Sequence, residues 1–314
     1  MVFLISIFFF ILIKRIFFFI RIKNSEAEKK IISQLVAICL EKNTTFFLDK
    51  KLPYEHIIQV IEDYNHRLIG EDWVVLKQSI IDNYLLQYAR KKTNSMFWLQ
   101  RNLAARVFLL YQKKSEESSI LNLMQDSSFL VSCIASKAAI AIESIQGLDI
   151  LLDKMSKSVG YSYYFYLDVL SKASVDLLKK MSLLAQEKSI YQKIILDVFA
   201  LQTVPISLPF LQECLISSDK ELQYKAIQVL IKNPQADKQN LLIDILNNKE
   251  KEFQIVAAKA LQNYPTEETR QALVKKLQDS HWSVKINVAT TLKNLGNSDL
   301  ITDEKLKNYV TIFE

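Results

Sequence analysis

A repeat of 31 residues constrains the fold of this chain more than any other feature of its sequence. Three segments start at that interval without a gap: LQYKAIQVLIKNP from Leu222, FQIVAAKALQNYP from Phe253 and VKINVATTLKNLG from Val284. Each carries apolar residues at its first, fifth, sixth and ninth positions, the spacing of the buried stripe on an amphipathic helix. The predicted repeat-packing positions are therefore Leu222, Ala226, Ile227, Leu230, Phe253, Ala257, Ala258, Leu261, Val284, Val288, Ala289 and Leu292.

A second helix is predicted between each pair of these segments. KQNLLIDILNN and RQALVKKLQDS lie there, with their leucines again 31 residues apart. Pro234, Pro265 and Gly296 close the first-helix segments, and these residue types end helices. A single pair of helices cannot bury both of its apolar faces, so neighbouring pairs must stack in tandem. A weaker fourth copy, YQKIILDVFALQT, starts 31 residues earlier at Tyr191.

The repeats resemble those of the HEAT family, and most closely its short bacterial HEAT-like variety. That variety carries an Asp, then Val-Arg or Val-Lys, then a pair of small residues and a Leu. The last segment matches it best, with Asp279, Val284, Lys285, Ala289 and Leu292. Earlier copies depart from the pattern, with Ser217 and Asn248 at the Asp position and Gln223 and Gln254 at the Lys position. The resemblance implies an all-α fold of the α-α superhelix type, a HEAT/armadillo solenoid, acting as a non-enzymatic scaffold.

Glycine and proline are too scarce for a chain rich in turns, at 4 and 5 residues of 314. Proteins built from β-sheets need many such turn residues, so the composition predicts helices joined by tight connections. We expect three parts: a hydrophobic membrane anchor over residues 1–23, an irregular helical part of the solenoid over 24–115, and HEAT-like repeats over 116–314. The repeat register is most regular over residues 190–296.

The first 23 residues predict attachment to a membrane. Residues 2–20 contain 16 apolar residues, and the cations of this region lie towards its C-terminal side, at Lys14, Arg15, Arg21 and Lys23. This charge distribution predicts a single-pass anchor with the N-terminus outside and the bulk of the chain cytoplasmic. Lipid contact is expected over residues 2–22. Residues 2–13 alone rise only about 18 Å as a helix, so a full span must include two cations. A helix lying flat on the membrane surface is the alternative.

The net charge of +6 does not by itself indicate a nucleic-acid-binding protein. The first 23 residues hold four cations and no acid, which leaves only +2 for residues 24–314. Nucleic acid is therefore not an expected partner, although HEAT-like proteins that bind nucleic acid, and HEAT-like lyase or glycosylase subunits, are the alternative classes. No phosphate-binding glycine loop occurs, and none of His56, His66 and His281 precedes a Glu. No catalytic residue, metal or cofactor is predicted.

Two remaining features concern side-chain environments. The segment YSYYFYLDVL brings together Tyr161, Tyr163, Tyr164 and Tyr166, either as half-buried residues of an amphipathic helix or as a contact patch for a partner. The cysteines, Cys39, Cys133 and Cys214, are far apart in sequence and are interpreted as small buried apolar residues. The sequence thus predicts a membrane-tethered scaffold for a protein partner, and the anchor allows that partner to be membrane-embedded itself.

Overall fold

The computed structural model describes residues 25–26, 28–33, 53–203, 208–248, 250–278 and 281–312. Over these residues the regular secondary structure is helical and no β-strand occurs, so the predicted all-α class is confirmed there. The chain divides into two compact units, Met1–Leu151 and Leu152–Glu314, and the division falls inside one helix.

The predicted membrane anchor lies outside the described residues. This applies to residues 1–23 and to the four cations in them, Lys14, Arg15, Arg21 and Lys23. Cys39 and Asp279, the Asp of the best-matching repeat segment, lie outside as well. Across the part of the chain that the structure describes, no helix combines the length and the apolar character needed to cross a membrane.

The first unit contains six complete helices within residues 53–141. They are α1 (Tyr54–Asn65), α2 (Glu71–Ile80), α3 (Leu86–Lys92), α4 (Trp98–Tyr111), α5 (Glu117–Met124) and α6 (Phe129–Ala141). A single π-helical turn, Ile81–Leu85, joins α2 to α3. Helices α4 and α6 pack side by side, and their contact buries alanines such as Ala105 and Ala135. Small side chains at these positions allow the two helix axes to approach closely.

The second unit follows α7 (Ile145–Ser156), which crosses the boundary between the two units. Its helices are α8 (Tyr161–Leu170), α9 (Val175–Glu187), α10 (Gln192–Leu201), α11 (Leu211–Ile216), α12 (Lys220–Lys232), α13 (Gln239–Asn248), α14 (Lys251–Leu261), α15 (Glu267–Lys276), α16 (Trp282–Asn294) and α17 (Glu304–Ile312). Helices α10, α12, α14 and α16 pack in succession, each against the next. The intervening helices α11, α13 and α15 pack against this row, as stacked helix pairs require.

The predicted repeat-packing positions form the core of that row of helices. Eleven of the twelve are buried, and Ala226, Ala257 and Val288 are among those with no exposed surface. The exception is Leu222, which is half-buried in the first turn of α12. Its neighbour Gln223 is buried instead and donates a hydrogen bond of 2.5 Å from Nε2 to the Leu215 carbonyl oxygen. Gln254 is buried at the equivalent position of α14, so this column is not a solvent-facing ladder.

The predicted helix ends also agree with the structure. α12 ends at Lys232, two residues before Pro234, and α16 ends two residues before Gly296. Gly296 has a φ of 75°, the left-handed conformation that closes many helices and that glycine adopts without steric cost. The backbone N–H of Asn297 donates to the Leu292 carbonyl oxygen at 2.9 Å, as in a Schellman motif.

A ladder of amide side chains links the C-terminal ends of α8, α10, α12 and α14. Asn233 donates from Nδ2 to the carbonyl oxygens of Phe199 and Gln202, both at 2.8 Å. Asn263 donates in the same way to the Ile231 carbonyl oxygen at 2.8 Å, and Gln202 donates to that of Ser171. These bonds satisfy carbonyl groups that a helix leaves unpaired at its C-terminus. They join repeats about one period apart through polar contacts as well as apolar packing.

Candidate functional site

A groove of about 510 Å³ lies between α8, α10 and α12 in the second unit. We call it the tyrosine groove. Its exposed apolar wall is formed by Tyr164, Ile190 and Leu201. Its polar side chains are those of Ser156, Ser158, Tyr163, Lys193, Asp197, Glu221, Lys225 and Gln228.

Asp197 is the centre of the polar part of the groove. It projects from α10 and accepts a hydrogen bond of 2.5 Å from the Tyr163 hydroxyl on α8. It also pairs with Lys225 on α12, whose Nζ lies 2.5 Å from both carboxylate oxygens. One carboxylate therefore ties together three helices. Burial, and then the bond to Asp197, raises the pKa of the Tyr163 phenol well above its usual range, so this hydroxyl is a neutral donor.

A second set of ion pairs forms the rim of the groove. Lys193 on α10 lies 2.8 Å from a Glu221 oxygen and 2.9 Å from an Asp219 oxygen. Its ammonium group lowers the pKa of both carboxyls, and they in turn raise the pKa of Lys193. Asp219 also caps α12, accepting hydrogen bonds from the backbone N–H groups of Glu221 and Leu222. Both lysines of the groove are therefore already neutralised by carboxylates.

A second groove, of about 540 Å³, adjoins the tyrosine groove at Glu221 and lies between α12 and α14. Its apolar wall is made by Tyr224, Phe253, Ile255 and Val256, and the rings of Tyr224 and Phe253 meet edge to face at 6.5 Å. Lys220 and Glu250 close it with an ion pair of 2.5 Å. Both grooves along the row therefore combine an apolar wall with neighbouring ion pairs.

The structure separates the four predicted contact tyrosines into different environments. Tyr164 is 69% exposed and lines the tyrosine groove, and Tyr163 is half-buried beneath it. Tyr161 is 81% exposed but does not line the groove. Tyr166 is only 4% exposed, so its place in a contact patch was predicted wrongly. Tyr166 follows Tyr164 by two residues, a rotation of about 200° around the helix, which turns it away from the groove and towards the core.

Sequence reasoning did not identify Asp197, Lys225 or Lys193. They are ordinary charged residues, and nothing in their immediate neighbours distinguishes them from a solvated helix surface. Their signal was the spacing of opposite charges, since Asp197 and Lys225, like Lys193 and Glu221, are 28 residues apart. That distance is close to the repeat period, so it places each pair on adjacent helices of the row.

Among the described residues, the histidines and cysteines belong to no metal-binding cluster. No group of three or more His, Cys, Asp or Glu side chains there is arranged to hold a metal ion. Cys133 and Cys214 are both buried, in agreement with their interpretation as apolar residues. Burial raises the pKa of the Cys214 thiol to about 11, which leaves it protonated and a poor nucleophile.

Comparison with known proteins agrees with the repeat architecture of the second unit. No curated protein matches the chain significantly. A family model described as HEAT repeats matches residues 239–303, which run from the start of α13 to the residue before α17. Within that range lie two of the three segments that define the 31-residue period. The match supports HEAT repeats as the architecture of this part of the chain.

Proposed function

We propose that this protein is a non-enzymatic, membrane-tethered scaffold that binds a protein partner through the tyrosine groove. The observation that carries the proposal is the combination of Tyr164, Ile190 and Leu201, all exposed, with polar groups that already satisfy one another. An apolar surface beside a preformed ion-pair network suits a protein segment, whose side chains supply apolar contact and whose backbone supplies hydrogen bonds. HEAT repeats commonly mediate such interactions.

The charges of the groove favour a protein partner over nucleic acid. Lys193 and Lys225 are held by carboxylates at 2.5–2.9 Å, so neither is free to neutralise a phosphate. Counting Asp197, Asp219 and Glu221, the site carries one more negative than positive charge. Binding to a nucleic-acid backbone relies on unpaired cations along one face. On the described face of α10 and α12, Lys193 and Lys225 are instead paired with carboxylates.

The membrane tether in this proposal rests on the sequence of residues 2–22. Its 16 apolar residues within residues 2–20, followed by basic residues, support an N-terminal anchor with the bulk of the chain in the cytoplasm. The test is extraction of membranes that contain the full chain. An anchored protein stays with the membrane fraction in high salt and in alkaline carbonate, whereas full release by salt alone rules out the anchor.

The partner site is tested by photo-crosslinking from within the groove. A photoreactive phenylalanine analogue replaces Tyr164 in one variant of the full chain and Tyr161 in the other. Both positions are on α8 and both are exposed, but only Tyr164 lines the groove. We expect a discrete crosslinked protein band from position 164 and a much weaker one from position 161.

A second pair of variants measures the contribution of the apolar wall. Leu201→Ala truncates an exposed side chain of the groove, and Leu183→Ala truncates an equally exposed leucine on α9 that does not line it. The first should reduce the crosslink from position 164 by about tenfold, the effect of a moderate interface contact. Equal crosslinking in both variants would contradict the groove as the binding site.

A further inference from the structure

An unusual run of exposed apolar residues lies at the start of α4 in the first unit. Met96 is 90% exposed, and Phe97, Trp98 and Leu99 follow it with 66%, 44% and 60% exposure. Phe129 and Leu130 are exposed at the start of the neighbouring helix α6. We call these six residues the apolar wedge. Runs of four consecutive exposed apolar residues are avoided on the surfaces of soluble domains unless they have a function.

Arg101 connects the two segments of the apolar wedge, which lie at the starts of α4 and α6. Its guanidinium group pairs with Asp126, just before α6, through bonds of 2.5 and 2.9 Å. From the other side it donates to the carbonyl oxygens of Ser95 and Met96 at 2.8 and 3.1 Å. Both side chains of the ion pair are largely buried, so the pair is protected from solvent screening. The hydrogen bonds of Arg101 therefore hold the apolar wedge in a fixed position on the surface.

The charge beside the wedge is positive. Residues 86–103 contain Arg90, Lys91, Lys92 and Arg101 and no acid. Arg90 and Arg101 are paired with Glu116 and Asp126, whereas Lys91 and Lys92 have no ion pair among the described residues. The backbone N–H of Ser95 donates to the Lys92 carbonyl oxygen at 3.1 Å, which places Lys92 one turn from Met96.

We propose that the apolar wedge inserts into the interfacial region of a bilayer that contains anionic lipid. Tryptophan and phenylalanine partition into that region, and exposed Met and Leu side chains gain from removal from water there. Lys91 and Lys92 then meet the negatively charged headgroups, a complementarity that an apolar protein pocket would not need. The wedge is a second membrane contact on the first unit, and it does not depend on the N-terminal anchor of the proposed function.

The test uses the two exposed tryptophans of the full chain as matched reporters. Trp98 and Trp282 are 44% and 46% exposed and each is the first residue of its helix, while Trp73 is buried. One variant, Trp73→Phe with Trp282→Phe, keeps only Trp98, and Trp73→Phe with Trp98→Phe keeps only Trp282. Both are reconstituted into phosphatidylcholine vesicles with brominated acyl chains, with and without phosphatidylglycerol. Bromine quenches only those indoles that reach the acyl region.

We expect Trp98 to be quenched at least roughly twofold more than Trp282 in vesicles containing phosphatidylglycerol. Lys91→Gln with Lys92→Gln should reverse most of this quenching, because each basic residue near an anionic surface changes the insertion equilibrium by about fivefold, equivalent to about 1 kcal/mol. Lys179→Gln with Lys180→Gln, a basic pair on α9, serves as the control for loss of charge alone. It should leave the quenching of Trp98 unchanged.

Equal quenching of the two tryptophans would overturn the proposal. A second outcome would also overturn it: Trp98 is not quenched by brominated lipid, but becomes shielded from aqueous iodide as the protein concentration rises. The wedge would then be an interface between protein molecules. Flotation of the same vesicles after a carbonate wash reports on the anchor separately. A chain that floats while Trp98 is unquenched retains the tether and lacks the wedge contact, so the two failures are distinguishable.

Discussion

The side-chain amide of Asn233 lies 2.8 Å from the carbonyl oxygen of Gln202, 31 residues earlier in the chain. The same amide reaches the Phe199 carbonyl oxygen at 2.8 Å, and Asn233 is buried. Gln202 in turn donates to Ser171, one further repeat period back. Each helix end in this part of the row is therefore satisfied by the next repeat, which makes neighbouring repeats depend on each other for their polar as well as their apolar groups.

Replacing Asn233 with alanine should destabilise the second unit. Asn233→Ala removes the side-chain donor from the buried Phe199 carbonyl oxygen and the partly buried Gln202 carbonyl oxygen, at a cost of about 1–3 kcal/mol in the free energy of unfolding. Urea unfolding of the full chain in mild detergent measures the change. Asn294→Ala is the matched control, because the Asn294 amide lies near the Gln262 side chain in an exposed position. If both variants have the same stability, the ladder contributes nothing.

Ala258 tests the close approach of helices in the row. It has no exposed surface, and its carbonyl oxygen accepts a hydrogen bond of 3.0 Å from Thr291 on the next helix, α16. Ala258→Leu should cost about 1–3 kcal/mol of unfolding free energy, because the added methyl and methylene groups have no space. Lys259→Leu places the same side chain at the adjacent exposed position and should change stability by less than about 0.5 kcal/mol. A neutral Ala258→Leu would show that the row is loosely packed there.

Replacing Tyr163 distinguishes residues that stabilise the groove from residues that contact the partner. Tyr163→Phe removes only the hydroxyl that donates to Asp197 and leaves the Lys225 pair in place. We expect a loss of about 0.5–1.5 kcal/mol in unfolding free energy, the contribution of one hydrogen bond. Crosslinking from position 164 should remain. Tyr161→Phe, at an exposed position, should leave stability unchanged. Loss of crosslinking with unchanged stability in Tyr163→Phe would mean that the partner uses this hydroxyl directly.

The ion pair of Arg90 and Glu116 predicts a pH dependence for the first unit. Glu116 is buried, and the hydrogen bond from Arg90 holds its pKa below the usual value. A carboxyl whose pKa is lower in the folded state stabilises the fold above its unfolded pKa, about 4.3 for Glu, and loses that contribution as pH falls through the folded pKa. Wild-type stability should therefore fall between about pH 5 and pH 3.

Glu116→Gln removes this titration. The variant should be less stable than wild type at neutral pH, by about 1–2 kcal/mol, and its stability should fall less steeply on acidification. Asp153→Asn is the control, because Asp153 forms an exposed ion pair with Lys157, and such pairs contribute little. Urea midpoints across this pH range measure all three proteins. If Glu116→Gln loses stability as steeply as wild type on acidification, Glu116 is not the cause of the pH dependence.

The sequence by itself determined the class of fold and the register of the repeats. A 31-residue period, with apolar residues at helical spacing and Pro or Gly at the ends, leaves few alternatives to stacked helix pairs. Eleven of the twelve positions predicted from it are buried. The prediction succeeded because burial on a helix repeats with a fixed period, so it is readable in one chain.

Only the tertiary structure decided which polar residues act together. Asp197, Tyr163 and Lys225 come from three different helices. The exposed wedge that includes Met96 and Trp98 depends on the ion pair between Arg101 on α4 and Asp126 in the turn before α6. A charged or aromatic residue on a helix surface has the same local sequence whether it faces solvent, an ion pair or a groove. The distinction depends on the side chains that adjacent helices bring within about 3 Å, the range of a hydrogen bond, and no local pattern records that distance.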